Sequence, residues 1–223
     1  MCGRVIYSSS EITAAKLGVK DSETPREGDL NAFPYKGTFV FGIVDKKPDQ
    51  LMHMQWPLVP SWCKEYPKFT TANAMSEHMD EKPAFRHLLG KRHCIVVVDG
   101  FYEWERIGEK NPYFFSMADG SQMKYAGLWD YNTNLDEPVL SCTVITRKPN
   151  QIIGEVHDRM PVILTDEQVK IWLDTTLPYS ERAKVLLPIE NSALLKRVIG
   201  KSVNKAGNKS GDWFGDEGST CLF

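Results

Sequence analysis

No cysteine in this chain has a partner at C-x-x-C spacing. The five present, Cys2, Cys63, Cys94, Cys142 and Cys221, are scattered and odd in number. That excludes a zinc ribbon or a disulfide framework as the organising device, and it suits a reducing cytoplasm. No apolar run approaches the 18 residues of a membrane span. The opening Met1-Cys2-Gly3-Arg4 soon turns polar at Ser8-Ser9-Ser10 instead of building a secretory apolar core. A positive excess is missing too: 27 Lys and Arg against 29 Asp and Glu leave a net charge of −2. Any nucleic-acid contact must therefore come from local basic patches. Internal repeats and a linker are also absent, so residues 1–223 are expected to form one domain. No metal and no cofactor are expected.

What is present is an ordinary globular composition, 42% hydrophobic and 25% charged over 223 residues, enough for a sizeable core. Strands are predicted at 5–7, 38–44, 51–56, 113–117, 123–129, 139–146 and 162–164. The continuous apolar run Cys94-Ile95-Val96-Val97-Val98 predicts a strand buried on both faces. Helices are predicted at 11–17, with Ser8 as cap and Gly18 as stop, at 77–89 despite Pro83, at 151–156, at 166–173 with Thr165 as cap, and at 179–187. Residues 20–29 read as loop, 72–74 as irregular and 194–203 as extended. Residues 205–223 read as a loose tail apart from Trp213-Phe214. Trp56-Pro57-Leu58-Val59-Pro60-Ser61-Trp62 cannot be regular structure, because two prolines break both ladders and helices. Its tryptophans either pack on the core or offer a platform for bases. The fold class is α+β: β-rich, with a curved or barrel-like sheet and a few inserted helices.

The first four residues carry the most distinctive chemistry. With Met1 removed, Cys2 holds a free α-amine and a thiol on adjacent carbons, a 1,2-aminothiol that no internal residue can supply. Such a group condenses with an aldehyde through nitrogen, and the thiol then closes a five-membered ring. An α-amine titrates at about 7.7–8.0 against about 10.4 for lysine, so near neutrality far more of it is the free nucleophile. The thiol, at about 8.5 unperturbed, is lowered by a neighbouring cation such as Arg4. Three other positions stand out. Glu103 lies between Tyr102 and Trp104 just past the buried strand, where desolvation raises a carboxyl pKa. His157 sits beside Asp158 and Arg159. Asn73 offers an amide in a loop. Taken singly each has an ordinary alternative: a solvated strand residue, a satisfied core histidine, turn chemistry.

Together and in this order they resemble the SRAP family (SOS-response-associated peptidase, abasic-site-processing proteins). The stretches that carry the resemblance are Met1-Cys2-Gly3-Arg4, Asn31 with Pro34, Trp56 with Pro60 and Trp62, Asn73-Ala74, Gly100-Phe101-Tyr102-Glu103-Trp104 and His157-Asp158-Arg159-Met160-Pro161, with a weaker match over 199–208. The resemblance implies that Cys2 forms a stable thiazolidine with the ring-opened sugar of an abasic site in single-stranded DNA. Asn73 would hold the amine or the sugar, and Glu103 and His157 would move the protons. It implies DNA contacts at Arg4, Trp62, Arg86, Arg159 and Asn208, with single-stranded DNA carrying abasic sites as the partner. The protein would be a cytoplasmic, nucleoid-associated monomer with no membrane contact. Two departures bear on the DNA track: Met75 stands where the family often has arginine, and Pro57 where it often has glycine. Stretches free of acids, 82–93 and 191–210, supply other cations.

Two rival readings remain open. One is an autoproteolytic cysteine peptidase that uses Cys2 with His157 as base; an AP-lyase-type strand cleavage through the same Schiff base belongs to the covalent reading. The other is a non-covalent single-stranded DNA binder built on Trp62 and the basic runs.

Overall fold

A computed structural model of the protein describes residues 3–21 and 23–215. Its strands are β1 (Val5–Tyr7), β2 (Lys20–Asp21), β3 (Asp29–Ala32), β4 (Phe39–Val44), β5 (Lys47–Gln55), β6 (Asn73–Met75), β7 (His93–Val98), β8 (Gly100–Trp104), β9 (Pro112–Met117), β10 (Met123–Asn132), β11 (Val139–Arg147), β12 (Met160–Pro161), β13 (Ile163–Leu164) and β14 (Leu194–Val198). The helices are short: α1 (Ser10–Leu17), α2 (Gln151–Gly154), α3 (Asp166–Leu173) and α4 (Tyr179–Arg182). None of the described helices is long and apolar enough to cross a membrane.

The strands form two sheets. One has five strands in the order β14-β9-β8-β1-β3, all antiparallel. The other runs β12-β11-β10-β7-β4-β5-β2, with β13 on β10 and β6 parallel to β11. A single parallel pairing, Ser141 with Gln55, joins β11 back to β5. It closes a ring of hydrogen-bonded strands that is not a clean barrel. The β-rich, curved architecture with a few helices expected from the sequence is what is found.

Alternation along β7 shows why the ring is central. Cys94, Val96 and Val98 face the main core between the sheets, with Val5, Phe101 and Phe115 from the five-stranded sheet. Ile95 and Val97 face a second core under Leu58, Phe85 and Trp172. The strand is thus buried on both faces, as its unbroken apolar run predicts. A third, smaller core on the outer face of the five-stranded sheet holds Ile6, Tyr102, Phe114, Val203 and Trp213.

Several local expectations are corrected. The cap of α1 is Ser9, whose hydroxyl accepts from the Ile12 N–H. Ser8 is buried instead, its hydroxyl donating to Asp99 at 2.7 Å. The predicted helix at 77–89 is a series of turns, with bonds such as Glu81 N to His78 O and Phe85 N to Lys82 O. Pro83 has no N–H to give, and residue 82 before it is pushed out of helical space. Residues 73 and 74 are not irregular: they lie in β6, which pairs with β11. The helix predicted at 179–187 is one α-turn followed by a 3-10 turn, Ala183–Val185. The extended stretch ends at Val198, and Lys201–Asn204 is a 3-10 turn.

Within the segment read as a tail, residues 205–215 are anchored. Lys209 Nζ reaches Asp29 at 2.7 and 2.8 Å, and Trp213 Nε1 reaches the Tyr102 hydroxyl at 3.3 Å. Residues 216–223 lie outside the described residues.

Candidate active site

The site grows out of β8 and its neighbours. β8 packs against β9 in a hairpin, Phe101 opposite Phe115 and Glu103 opposite Tyr113. Only glycine fits at its start: a Cβ on residue 100 would lie 2.5 Å from the Phe114 ring and 2.6 Å from the Phe115 carbonyl. Alternation then puts Phe101 and Glu103 on the inner face, and Tyr102 and Trp104 on the outer one. Glu103 is 5% exposed. Burial pushes its carboxyl up to about 7, and the charge of Asp158 adds to the rise.

β1 lies antiparallel along β8, Val5 opposite Phe101 and Ile6 opposite Gly100. The Tyr102 N–H donates to the Arg4 carbonyl at 2.9 Å. Continued to the end of the described chain, this register sets Gly3 opposite Glu103. Cys2, the expected nucleophile, lies outside the described residues; the described chain arrives beside Glu103 one residue short of it.

His157 comes from the other sheet. The chain leaves β11, forms α2, and holds His157 by its N–H on the Ile153 carbonyl at 2.9 Å. Its Nε2 stands 4.0 Å from Glu103 Oε2. Nδ1 accepts the Arg159 N–H at 3.1 Å, so a neutral ring carries its proton on Nε2, toward Glu103. Burial lowers the imidazole pKa below its ordinary value. Near neutral pH the pair is therefore a carboxyl poised to gain or lose a proton beside an uncharged imidazole.

Arg159 fixes this loop. Its guanidinium forks onto Glu77 with two 2.8 Å bonds and donates to the Thr146 carbonyl at 2.7 Å. Arg159 holds the Glu77 carboxyl down at about 2. The clamp ties the His157 segment to the end of β11 and to the residues just after β6. β6 carries Asn73, opposite Val144. Its Oδ1 is buried with no hydrogen-bond partner among the described residues. A buried acceptor left without a donor costs about 1–3 kcal/mol, so a donor from outside the described residues is a natural complement. Asn73 also lines an open groove of about 430 Å³ with Trp62, Phe69, Met75, His78 and Lys82. Trp62 is 51% and Phe69 52% exposed. Their rings lie within 18° of parallel with centroids 6.4 Å apart, faces on which a base can stack.

The other expected DNA contacts are placed as follows. Arg4 donates to Asn31 Oδ1 at 2.6 Å and to the Val203 carbonyl at 3.1 Å, flanked by the Phe33 and Trp104 rings. The Asn31 amide in turn donates to the carbonyls of Val203, Lys205 and Asn208. Arg4 and Asn208 thus belong to one network centred on Asn31. Arg86 is exposed on the turn segment after β6. Arg159 is engaged by Glu77. Sequence reasoning did not single out Glu77, because nothing local marks a residue 82 positions from its partner. It also passed over Phe69, although an aromatic in a polar loop near Trp62 was a usable signal. Among the described residues no three His, Cys, Asp or Glu side chains converge as metal ligands.

Comparison with known proteins bears on the family and the fold. A family model described as SOS response associated peptidase (SRAP) matches residues 1–206. The abasic site processing protein YoqW of Bacillus subtilis (strain 168) is 40% identical over 183 residues, 78% of this chain and 80% of that one. YoaM of the same organism, also named an abasic site processing protein, is 31% identical over 223 residues, 95% and 96% of the two chains. The abasic site processing protein HMCES of Gallus gallus is 34% identical over 67% of this chain and 53% of its own length. Among solved structures, a protein from Bacteroides thetaiotaomicron superposes with a TM-score of 0.80 over 91% of this chain and 93% of its own. At 24% identity it speaks for the fold alone. One from Bordetella bronchiseptica gives 0.74 at 26% identity, covering 89% of this chain and all of its own.

Proposed function

The chain belongs to the SRAP family, and from that premise we propose that it processes abasic sites in single-stranded DNA, capturing them as a covalent thiazolidine at Cys2 once Met1 has been removed. The observation that carries the proposal is the pairing of Glu103 with His157 at 4.0 Å, with β1 delivering Gly3 to the register position opposite Glu103. A terminal aminothiol is one peptide unit further on, about 3.8 Å along the Cα trace.

The steps balance without a cofactor. The abasic sugar is a cyclic hemiacetal. Moving its O1′ proton to O4′ opens the ring to an aldehyde, a transfer that the His157 imidazole, giving a proton from Nε2 and taking one back there, can mediate. The terminal amine adds to C1′ and loses a proton. The resulting carbinolamine expels water, which needs an acid, and Glu103 with its pKa at about 7 is suited to both exchanges. The thiol sulfur then bonds to the imine carbon while its proton passes to nitrogen. The sum is aldehyde plus aminothiol giving thiazolidine plus water. Ring closure removes the imine that would otherwise promote loss of the 3′ phosphate. Asn73 Oδ1, without a partner among the described residues, is a fitting acceptor for the amine or for a sugar hydroxyl. The Trp62 and Phe69 faces suit an unpaired base beside the lesion, which favours single strands over a stacked duplex.

Intact mass after mixing the processed protein with a single-stranded oligonucleotide carrying one abasic site tests the proposal. The expected product is a heat-stable adduct, formed without borohydride, whose mass is the sum of the two molecules less one water. Cys2→Ala should not give it. An adduct seen only after borohydride reduction would mean an open Schiff base and overturn ring closure. Adduct formation by Cys2→Ala would remove the aminothiol from the reaction.

A further inference from the structure

The loop that joins β8 to β9 faces the His157 segment across an open groove of about 460 Å³, lined by Glu105, Arg106 and Ile107 on one side and by residues 154–158 on the other. The reaction above gives this loop no task. Yet Arg106 spans the groove to form an ion pair with Asp158, and Asp158 Oδ1 stands 3.1 Å from His157 Nδ1. Both partners of the ion pair are more than half exposed, 56% and 58%. A pair so placed contributes little stability and exchanges readily with other ions.

Its position gives it another consequence. His157 Nδ1 faces two incompatible neighbours. The Arg159 N–H needs a lone pair there; the Asp158 carboxylate needs a proton there. While Arg106 neutralises Asp158, the Arg159 bond prevails and the ring stays neutral. With Arg106 drawn away, the bare carboxylate favours an imidazolium. The remaining charged neighbours do not replace Arg106. Glu103 lies on the Nε2 side. Glu105 is occupied by the Tyr113 hydroxyl and the Asn111 N–H, and Glu155 by Lys196. Arg106 itself opposes the proton on the ring, and Asp158 favours it. A guanidinium is the side chain best matched to a phosphodiester, which it engages through two parallel N–H bonds. Arg106 is exposed, on a loop, and on the rim of the groove that leads to His157.

We propose that Arg106 is a phosphate-binding residue whose transfer from Asp158 to a backbone phosphodiester of the bound strand arms His157 as a proton donor. DNA binding and acid catalysis are thereby coupled: the imidazole is neutral in the resting protein and charged once a strand lies in the site. Asp158 is the positioning residue in this device, acting through His157. The inference rests on the single-stranded DNA reading above, but its first half is testable without DNA.

The test is a pH titration of the His157 ring C–H signal by NMR in the full chain. It compares wild type, Arg106→Ala, Arg106→Lys and Asp158→Asn, each alone and with an undamaged oligothymidylate, which lacks an aldehyde and cannot react. Without DNA, Arg106→Ala should raise the His157 midpoint by roughly 0.5–1 pH unit, a threefold to tenfold gain in charged ring at a given pH, and Asp158→Asn should lower it by a similar amount. Arg106→Lys should restore the wild-type midpoint. Oligothymidylate should raise the midpoint in wild type clearly more than in Arg106→Ala or Asp158→Asn. Equal midpoints in DNA-free wild type and Arg106→Ala would overturn the neutralising role. Equal DNA-induced shifts in wild type and both variants would overturn phosphate capture. Failure of the abasic-site reading would appear separately, as no adduct in the mass experiment whatever the midpoints do.

Discussion

Glu103 lies 4.0 Å from His157 on the inner face of β8, and its proton makes a measurable demand on the fold. The unfolded side chain titrates near 4.5 and the folded one near 7, because burial disfavours the charged form. Between those values the folded state binds more protons than the unfolded state, so this contribution is fully present below about 4.5 and is lost as pH rises through 7. Glu103→Gln should therefore match wild type in thermal stability at about pH 4 and exceed it at about pH 8, by roughly 1–3 kcal/mol. Equal stability at both pH values would mean that the carboxyl ionises freely. In the reaction the same variant should slow adduct formation by about 10²–10⁴ under single-turnover conditions, and His157→Ala should slow both formation and release of a preformed adduct. Wild-type rates in both variants would make the two residues structural. The sequence pointed to a raised pKa here for a reason that proves incomplete. Tyr102 and Trp104, the neighbours expected to desolvate Glu103, sit on the opposite face of β8. What buries Glu103 is tertiary, and no window of sequence displays it.

Elements with a strong local signature were legible and those without one were not. α3 announces itself by Thr165, and the structure has the full capping box, with Thr165 and Gln168 bonded reciprocally. Gly18 ends α1 in the left-handed conformation, φ 69°. The run from Cys94 to Val98 gave β7. By contrast β6 is three residues long and owes its existence to β11, far away in the chain, so the Asn73 segment looked irregular. The stretch after it carried an apolar pattern that satisfied a helix template, and only its tertiary packing on the second core shows that turns serve as well. At this scale the site depends on how closely β8 approaches β9. Gly100→Ala should cost about 1–3 kcal/mol through overpacking against Phe114 and Phe115. It should also lower adduct formation, although residue 100 is remote from the chemistry. Thermal denaturation and single-turnover kinetics on the same variant check this. Wild-type melting and rate in Gly100→Ala would show that the hairpin can relax.

For the molecule as a whole, two sheets meet at the site while the net charge stays slightly negative at −2. Affinity for undamaged single strands should then rest on a few local cations and fall with salt, with a log–log slope of about −0.7 per phosphate contact. Binding that ignores salt would refute a phosphate track. Far from the site, Arg182 and Asp45 form an ion pair at 3.2 Å with both side chains fully buried. Asp45→Ala should lose about 3–5 kcal/mol of stability by stranding the guanidinium, with any surviving folded protein reacting normally; a neutral effect on melting would mean that water or another acceptor reaches Arg182. The order β14-β9-β8-β1-β3 carries one more implication, which concerns time. β1 is an interior strand, and its partner β8 ends at Trp104. A chain emerging from the ribosome at about 5–20 residues per second exposes its first residues roughly 5–20 seconds before that partner exists. Under the covalent reading proposed above, removal of Met1 would have a window before β8 exists, and the aminothiol would be made before Glu103 and His157 are in place. On that reading the order of synthesis separates two tasks in time: processing while β1 is still unpaired, and chemistry once β8 has closed on it.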